Sequence, residues 1–159
     1  MKVKAIILGD SGVGKSTLLS YTRNDRRVIP TIGVDCFVYK CLQMWDTSGA
    51  ERFRMVIERF YSKMDMVILV YNDISSLASI EEYRREVCKV NNDVKWLVVY
   101  NGNDERMIRQ GHNYCRMYDM AYLNGDFSIE SESSRIIKNM RDYACPESKV
   151  KGWRYCWIY

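Results

Sequence analysis

The sequence predicts an α/β domain: a mostly parallel sheet with one antiparallel edge strand and helices on both faces. Three observations carry that expectation. Short, continuously apolar runs at Val3–Leu8, Met66–Tyr71 and Lys95–Tyr100, with a weaker one at Phe127–Ile129, read as buried parallel strands. Helix-patterned segments fall between them, and strands alternating with helices assemble as parallel sheets covered on both sides. The stretch from Asp35 to Trp45 alternates as an antiparallel pair does, with too few residues for two long strands.

The elements follow in order. Val3–Leu8 runs directly into Gly9-Asp10-Ser11-Gly12-Val13-Gly14-Lys15-Ser16, a P-loop. Its glycines let backbone N–H groups turn toward phosphates, Lys15 can reach the β- and γ-phosphates, and the Ser16 hydroxyl is placed to ligate Mg²⁺. Gly9 through Thr17 form the expected phosphate-binding set, and Ser16–Tyr21 opens a helix. At the end of the third strand-like segment stands Trp45-Asp46-Thr47-Ser48-Gly49. In this DxxG the Asp46 carboxylate can hold a magnesium water and the Gly49 N–H can meet a γ-phosphate. Read alone, DxxG is more often an ordinary Asp-led turn.

Ser79–Val90 places Ile80, Tyr83, Val87 and Val90 on one helical face. After Tyr100 comes Asn101-Gly102-Asn103-Asp104, where the Asp104 carboxylate can accept two donors from a guanine edge. By itself this is also a polar loop. Helices are expected over Arg106–Tyr122 and Ser133–Ala144. P-loop, Thr31, DxxG and Asn-x-x-Asp occur in one order, each after its strand, at the edge where ligands gather in parallel sheets.

The whole chain bounds the rest. Its 159 residues suit one domain, and 47% hydrophobic with 28% charged residues describes a globular chain rather than a disordered one. The expected division is a domain over 1–145 and a short aromatic and basic tail over 146–159. The net charge of +4 is interleaved rather than striped, so no nucleic-acid partner is expected. No apolar run approaches a membrane span, which leaves peripheral membrane contact. The six cysteines, Cys36, Cys41, Cys88, Cys115, Cys145 and Cys156, show no CxxC pair, and no signal peptide is read at the start. Reduced thiols in the cytoplasm are the expectation. His112 falls in a polar helical stretch and reads as a surface side chain.

With these motifs assembled, the chain resembles the small GTPases of the Ras superfamily, and within them the Rab family. The Rab-like residues are Pro30-Thr31-Ile32-Gly33-Val34-Asp35, Leu42-Gln43-Met44-Trp45-Asp46-Thr47-Ser48-Gly49, Glu51-Arg52-Phe53-Arg54 and Phe60-Tyr61. The resemblance implies a small G domain of the P-loop NTPase kind, GTP/GDP and Mg²⁺ as cofactors, and a role in vesicle or membrane traffic on endomembranes. It implies Ser16 and Thr31 as magnesium ligands, Asp46 as a ligand through water, Gly49 as the γ-phosphate sensor of switch II, and Asn101 with Asp104 as guanine readers. Ser131 and Glu132 stand where the family has a Ser-Ala-Lys loop over the base. It further implies Rab effectors at switches I and II and the Trp45, Phe60 and Tyr61 region, with exchange and activating factors.

The departures matter as much. Ala50 replaces the glutamine that orients the attacking water, and a methyl group offers no hydrogen bond. Gly102 replaces the lysine whose alkyl chain covers the base, so looser binding and faster exchange are expected. Asn24-Asp25-Arg26-Arg27 replaces the aromatic that stacks on guanine. Arg27 is a second catalytic candidate, near where Gα proteins carry an arginine in cis, and is expected not to reach the γ-phosphate. Fourteen residues lie between Ser16 and Thr31 and fourteen between Thr31 and Asp46, both fewer than usual in the family. Trimming of this kind suits a compact genome such as a virus's. The C-a-a-X-like ending at Cys156 is an atypical prenylation signal. Three functions remain in view: a nucleotide switch with weak hydrolysis, a non-enzymatic decoy for Rab partners, and an ATPase of another P-loop class.

Overall fold

A computed structural model describes residues 2–22 and 31–146. Along the chain these form β1 (Val3–Leu8), α1 (Lys15–Ser20), β2 (Val34–Tyr39), β3 (Leu42–Thr47), a 3₁₀ turn (Glu51–Phe53), α2 (Arg54–Tyr61), β4 (Met66–Tyr71), α3 (Ile74–Cys88), β5 (Lys95–Asn101), α4 (Glu105–Tyr118), β6 (Ala121–Gly125) and α5 (Glu130–Ala144). The strands make one sheet in the order β2-β3-β1-β4-β5-β6. Only β2 runs antiparallel to its neighbour, β3. Arg27 and Cys156, and all of the tail beyond Pro146, lie outside the described residues.

The apolar runs sit where both faces are covered. All six residues of β4 are buried, with β1 and β5 on either side. On one face Leu18 and Leu19 of α1 and Ile136, Ile137 and Met140 of α5 pack over Ile7, Met44, Ile68 and Val99. On the other, Ile57 and Tyr61 of α2, Ile80, Tyr83 and Val87 of α3 and Cys115 of α4 cover Ile6, Leu8, Val67, Leu69 and Val98. Each fully buried aliphatic side chain contributes about 1.5–3 kcal/mol. With the core on two faces, the carboxyl ends of β1, β3, β4 and β5 are left for the loops that carry the motifs.

Several boundaries differ from the sequence expectation. The antiparallel pair is two strands of six residues each, because the chain reverses in just Lys40 and Cys41, with Lys40 left-handed at φ 53°. Helix α3 starts at Ile74 rather than Ser79. The Asp73 carboxylate accepts from Ser76 N–H at 2.7 Å while Ser76 Oγ accepts from Asp73 N–H at 3.0 Å, a reciprocal cap. Helix α4 stops at Tyr118, not Tyr122, because Asp119 turns left-handed at φ 52°. The last strand is therefore Ala121–Gly125, paired with β5, and not Phe127–Ile129. Phe127 is apolar for another reason: it is buried against the P-loop side of the core.

The expectation of reduced thiols fails at one pair. Cys41, in the β2–β3 turn, and Cys145, which ends α5, form a disulfide across a sequence separation of 104. The fold brings a hairpin tip and a helix end together, a proximity no local spacing announces. His112 is also not a free surface side chain, since its ring packs 4.2 Å from that of Tyr122.

Candidate nucleotide-binding site

Gly9 to Ser16 leave the end of β1 and curl around an open cleft of about 310 Å³. Lys15 is 5% exposed. Its ammonium donates to the carbonyl oxygens of Gly9 and Asp10, each at 2.7 Å, which fixes the side chain across the mouth of the loop. Burial pulls its pKa down to about 8, against the opposing charges of Asp46 and Asp10. The cleft is also lined by Ser11, Gly12, Gly14, Thr17 and two residues that motif reading missed, Thr47 and Ser48. Thr47 follows the DxxG aspartate directly, and its hydroxyl donates to Ile7 O at 2.6 Å, joining β3 to β1.

Three oxygens meet at one corner of the cleft. Ser16 Oγ lies 3.0 Å from Thr31 Oγ1 and donates to Asp46 Oδ2 at 2.9 Å, while Thr31 Oγ1 donates to the same oxygen at 3.1 Å. Asp46 is fully buried. Neighbouring ligands on an octahedral Mg²⁺ stand about 2.9 Å apart, from bonds of about 2.0–2.1 Å. Two hydroxyls and a carboxylate at these separations are hard oxygen donors spaced to fill part of such an ion's coordination shell.

Switch II begins against the P-loop. A Cβ on Gly49 would come within 2.3 Å of Ser11 N and 2.5 Å of Asp10 O, so only glycine fits this approach. Ala50 follows, its N–H donating to Ser48 Oγ at 3.3 Å. Trp45 and Phe60 are half-buried and in ring contact at 4.8 Å. Tyr61 is 0% exposed, which removes it from the expected partner surface. Ile32 and Met55, at 83% and 78%, are the most exposed large apolar side chains there.

At the far end, Asn101 ties two loops together. Its Nδ2 donates to Val13 O and its Oδ1 accepts from Phe127 N–H, both at 3.0 Å. Asp104 caps α4, with Oδ1 accepting from Arg106 and Met107 N–H at 2.9 and 3.0 Å. Gly102 is more than a lysine deleted. At φ 152° its Cβ would meet the Tyr100 ring and hydroxyl at 2.6 Å, so the Tyr100 side chain, stacked on Tyr71, already fills that space.

Ser131 and Glu132 need correcting. They lie in the first turn of α5, Ser131 exposed and Glu132 accepting from Asp126 N–H at 2.6 Å. The loop that reaches Asn101 is Asp126-Phe127-Ser128. Ser128 N–H and Oγ both bond Asp126 Oδ1, holding that carboxyl below its usual range. The Asp-x-Ser turn pattern after the strand was the available signal.

The sheet order, the P-loop and the cleft define a small G domain of the P-loop NTPase class. A model of the Ras family matches residues 4–139. The chain is 40% identical over 104 residues to Ras-related protein RABG1 of Arabidopsis thaliana, covering 57% of this chain and 51% of that one. It is 28% identical over 162 positions to RABG3f of the same plant, covering 95% and 66%. It is 34% identical over 148 residues to Ras-related protein SEC4 of Candida albicans, covering 84% and 70%. The chain belongs to the Ras family and is Rab-like within it. It spans about half the length of RABG1 and just under two thirds of RABG3f. Among the described residues no helix is long and apolar enough to cross a membrane.

Proposed function

We propose that this protein is a Mg²⁺-dependent guanine-nucleotide switch of the Rab kind, with impaired GTP hydrolysis, acting in vesicle or membrane traffic. The observation that carries the reading is the meeting of Ser16, Thr31 and Asp46 beside the anchored Lys15. In this reading Lys15 offsets phosphate charge, and the P-loop amides from Ser11 to Ser16 cradle the phosphate chain. Ser16 and Thr31 would hold Mg²⁺, with Asp46 acting through water. When bound, the ion would supply positive charge that offsets the phosphate charge held by Lys15. Gly49 offers its N–H to a γ-phosphate, and Asn101 and Asp104 face the base.

Ala50 sets the rate. No side chain at that position can orient water, so hydrolysis is expected below the roughly 3–5 × 10⁻⁴ s⁻¹ of an unassisted Ras-type site. The resting form is then GTP-bound, presenting Ile32, Val38, Met55 and Val56 with Trp45 and Phe60 to Rab effectors from the cytoplasmic side of endomembranes. Exchange and activating factors would act on the same switches. The second reading, a decoy that binds Rab partners with little dependence on nucleotide, is favoured by Asp104 being engaged as a helix cap.

Single-turnover hydrolysis by the wild type and Ala50→Gln separates these. A slow wild type accelerated by Ala50→Gln supports the switch, and rapid phosphate release by the wild type alone overturns it. Effector binding that is equal in the presence and absence of GTP supports the decoy.

A further inference from the structure

Tyr83 of α3 lies outside the cleft, yet its hydroxyl donates to the Asp10 carboxylate at 3.2 Å, across 73 residues of sequence. Its ring is 6% exposed and carries the Arg54 guanidinium 4.7 Å from its centroid. Arg54 is the first residue of α2. Glu82 at 3.1 Å and Glu86 at 3.5 Å hold it further against α3. Burial, and then the Asp10 charge, push the Tyr83 hydroxyl up to about 12, so it remains a proton donor at ordinary pH.

Asp10 is engaged on its backbone as well. Its carbonyl oxygen accepts from Lys15 Nζ, and the same carbonyl lies where a Gly49 Cβ would fall. The segment from Gly49 to Arg54 thus approaches Asp10 at both ends, by close backbone approach at Gly49 and through the Tyr83 ring at Arg54. Between those ends the Ala50 side chain offers no hydrogen bond, and the segment is held otherwise by Ala50 N–H on Ser48 Oγ and by the packing of Phe53 on the core.

We propose that Tyr83 is a positioning residue that couples the P-loop to the start of α2 through Asp10 and Arg54, and so sets the preference for nucleoside triphosphate over diphosphate. This rests on the nucleotide-switch reading above. Triphosphate and diphosphate differ only in the γ-phosphate, which in that reading lies between Lys15 and Gly49. A contact that exists only when Gly49 and Arg54 sit as they do here adds to triphosphate affinity and not to diphosphate affinity. In this proposal the hydrogen bond from Tyr83 to Asp10 is such a contact, because the Tyr83 ring is held between Asp10 and Arg54.

Tyr83→Phe keeps the ring, its burial and its contact with Arg54 while removing only the donor. The test is the ratio of GTP-analogue to GDP affinity, by fluorescent-nucleotide titration in Mg²⁺, for the parent, Tyr83→Phe, Asp10→Ala and the double variant. The expected result is a ratio lowered roughly 3- to 10-fold by Tyr83→Phe, with no further loss when Asp10 is already alanine. A ratio within twofold of the parent's, or an equal loss in both backgrounds, overturns this proposal and leaves the nucleotide-switch reading standing. A parent that binds neither nucleotide overturns both.

Discussion

Ser16 Oγ donates to Asp46 Oδ2 at 2.9 Å, bringing the last residue of the P-loop and the first of the DxxG within one hydrogen bond across 30 residues of sequence. Thr31 joins the same carboxylate oxygen at 3.1 Å. The start of α1, the segment before β2 and the end of β3 thus meet in one cluster of hard oxygen atoms. A metal-assisted triphosphate site needs that convergence, and a merely glycine-rich turn does not.

Replacing one donor should break the cluster selectively. Ser16→Asn puts an amide where a hydroxyl fits and displaces the oxygen from its place beside Thr31. Calorimetry with and without Mg²⁺ should show GTP-analogue affinity reduced at least tenfold, with GDP affected less. Equal binding by parent and variant would mean that the cluster holds no metal.

Lys15 makes pH a probe of the site. Its pKa in the ligand-free fold is about 8, below the 10.5 of an unfolded lysine. Between those values the unfolded chain binds the extra proton, so ligand-free stability should rise with pH across about 8 to 10.5, by up to about 3 kcal/mol. Phosphate favours the charged ammonium, so nucleotide affinity should fall as pH rises above 8. Lys15→Met should flatten both profiles in denaturation and titration experiments, and should raise ligand-free stability at pH 7.

Gly102→Lys should not simply restore a covering side chain. The new Cβ would press on Tyr100 at 2.6 Å from a backbone at φ 152°, at a cost of about 1–3 kcal/mol. The single variant should lose stability without slowing GDP release. Denaturation and fluorescent-GDP release check both, and slower release at unchanged stability would contradict this reading.

The Cys41–Cys145 disulfide closes most of the chain into one loop. Such a crosslink contributes about 2–4 kcal/mol by restricting the unfolded chain. Reductant, or Cys41→Ser with Cys145→Ser, should lower the Tm by roughly 5–15 °C. An unchanged Tm would show that the bond contributes nothing to stability, and six free thiols titrated in the denatured, unreduced protein would show that it does not form.

Much of the site was readable because its chemistry is local. Eight adjacent residues, Gly9 to Ser16, specify a loop whose backbone must turn inward, and Asp46 and Asn101 follow apolar runs that fix their edge of the sheet. What stayed hidden depends on partners distant in sequence. Asp119 ends α4 by adopting a conformation few side chains favour, which moved the last strand forward and left Asp126–Ser128, not Ser131 and Glu132, beside Asn101. Gly102 reads in sequence as a lost lysine, and only the fold places the Tyr100 ring in that space. Cys41 met Cys145, and Tyr83 met Asp10, only through the packing of helices onto the sheet.

The central claim is that this cleft binds guanine nucleotide with Mg²⁺. Titrating nucleotide-free protein with GTP, GDP and ATP, in Mg²⁺ and again in chelator, tests it most directly. The account predicts guanine nucleotides at least tenfold tighter than ATP, a preference lost in Asp104→Asn, and GTP binding that weakens when Mg²⁺ is removed. Equal affinity for ATP and GTP, or no binding of any of the three, would contradict it.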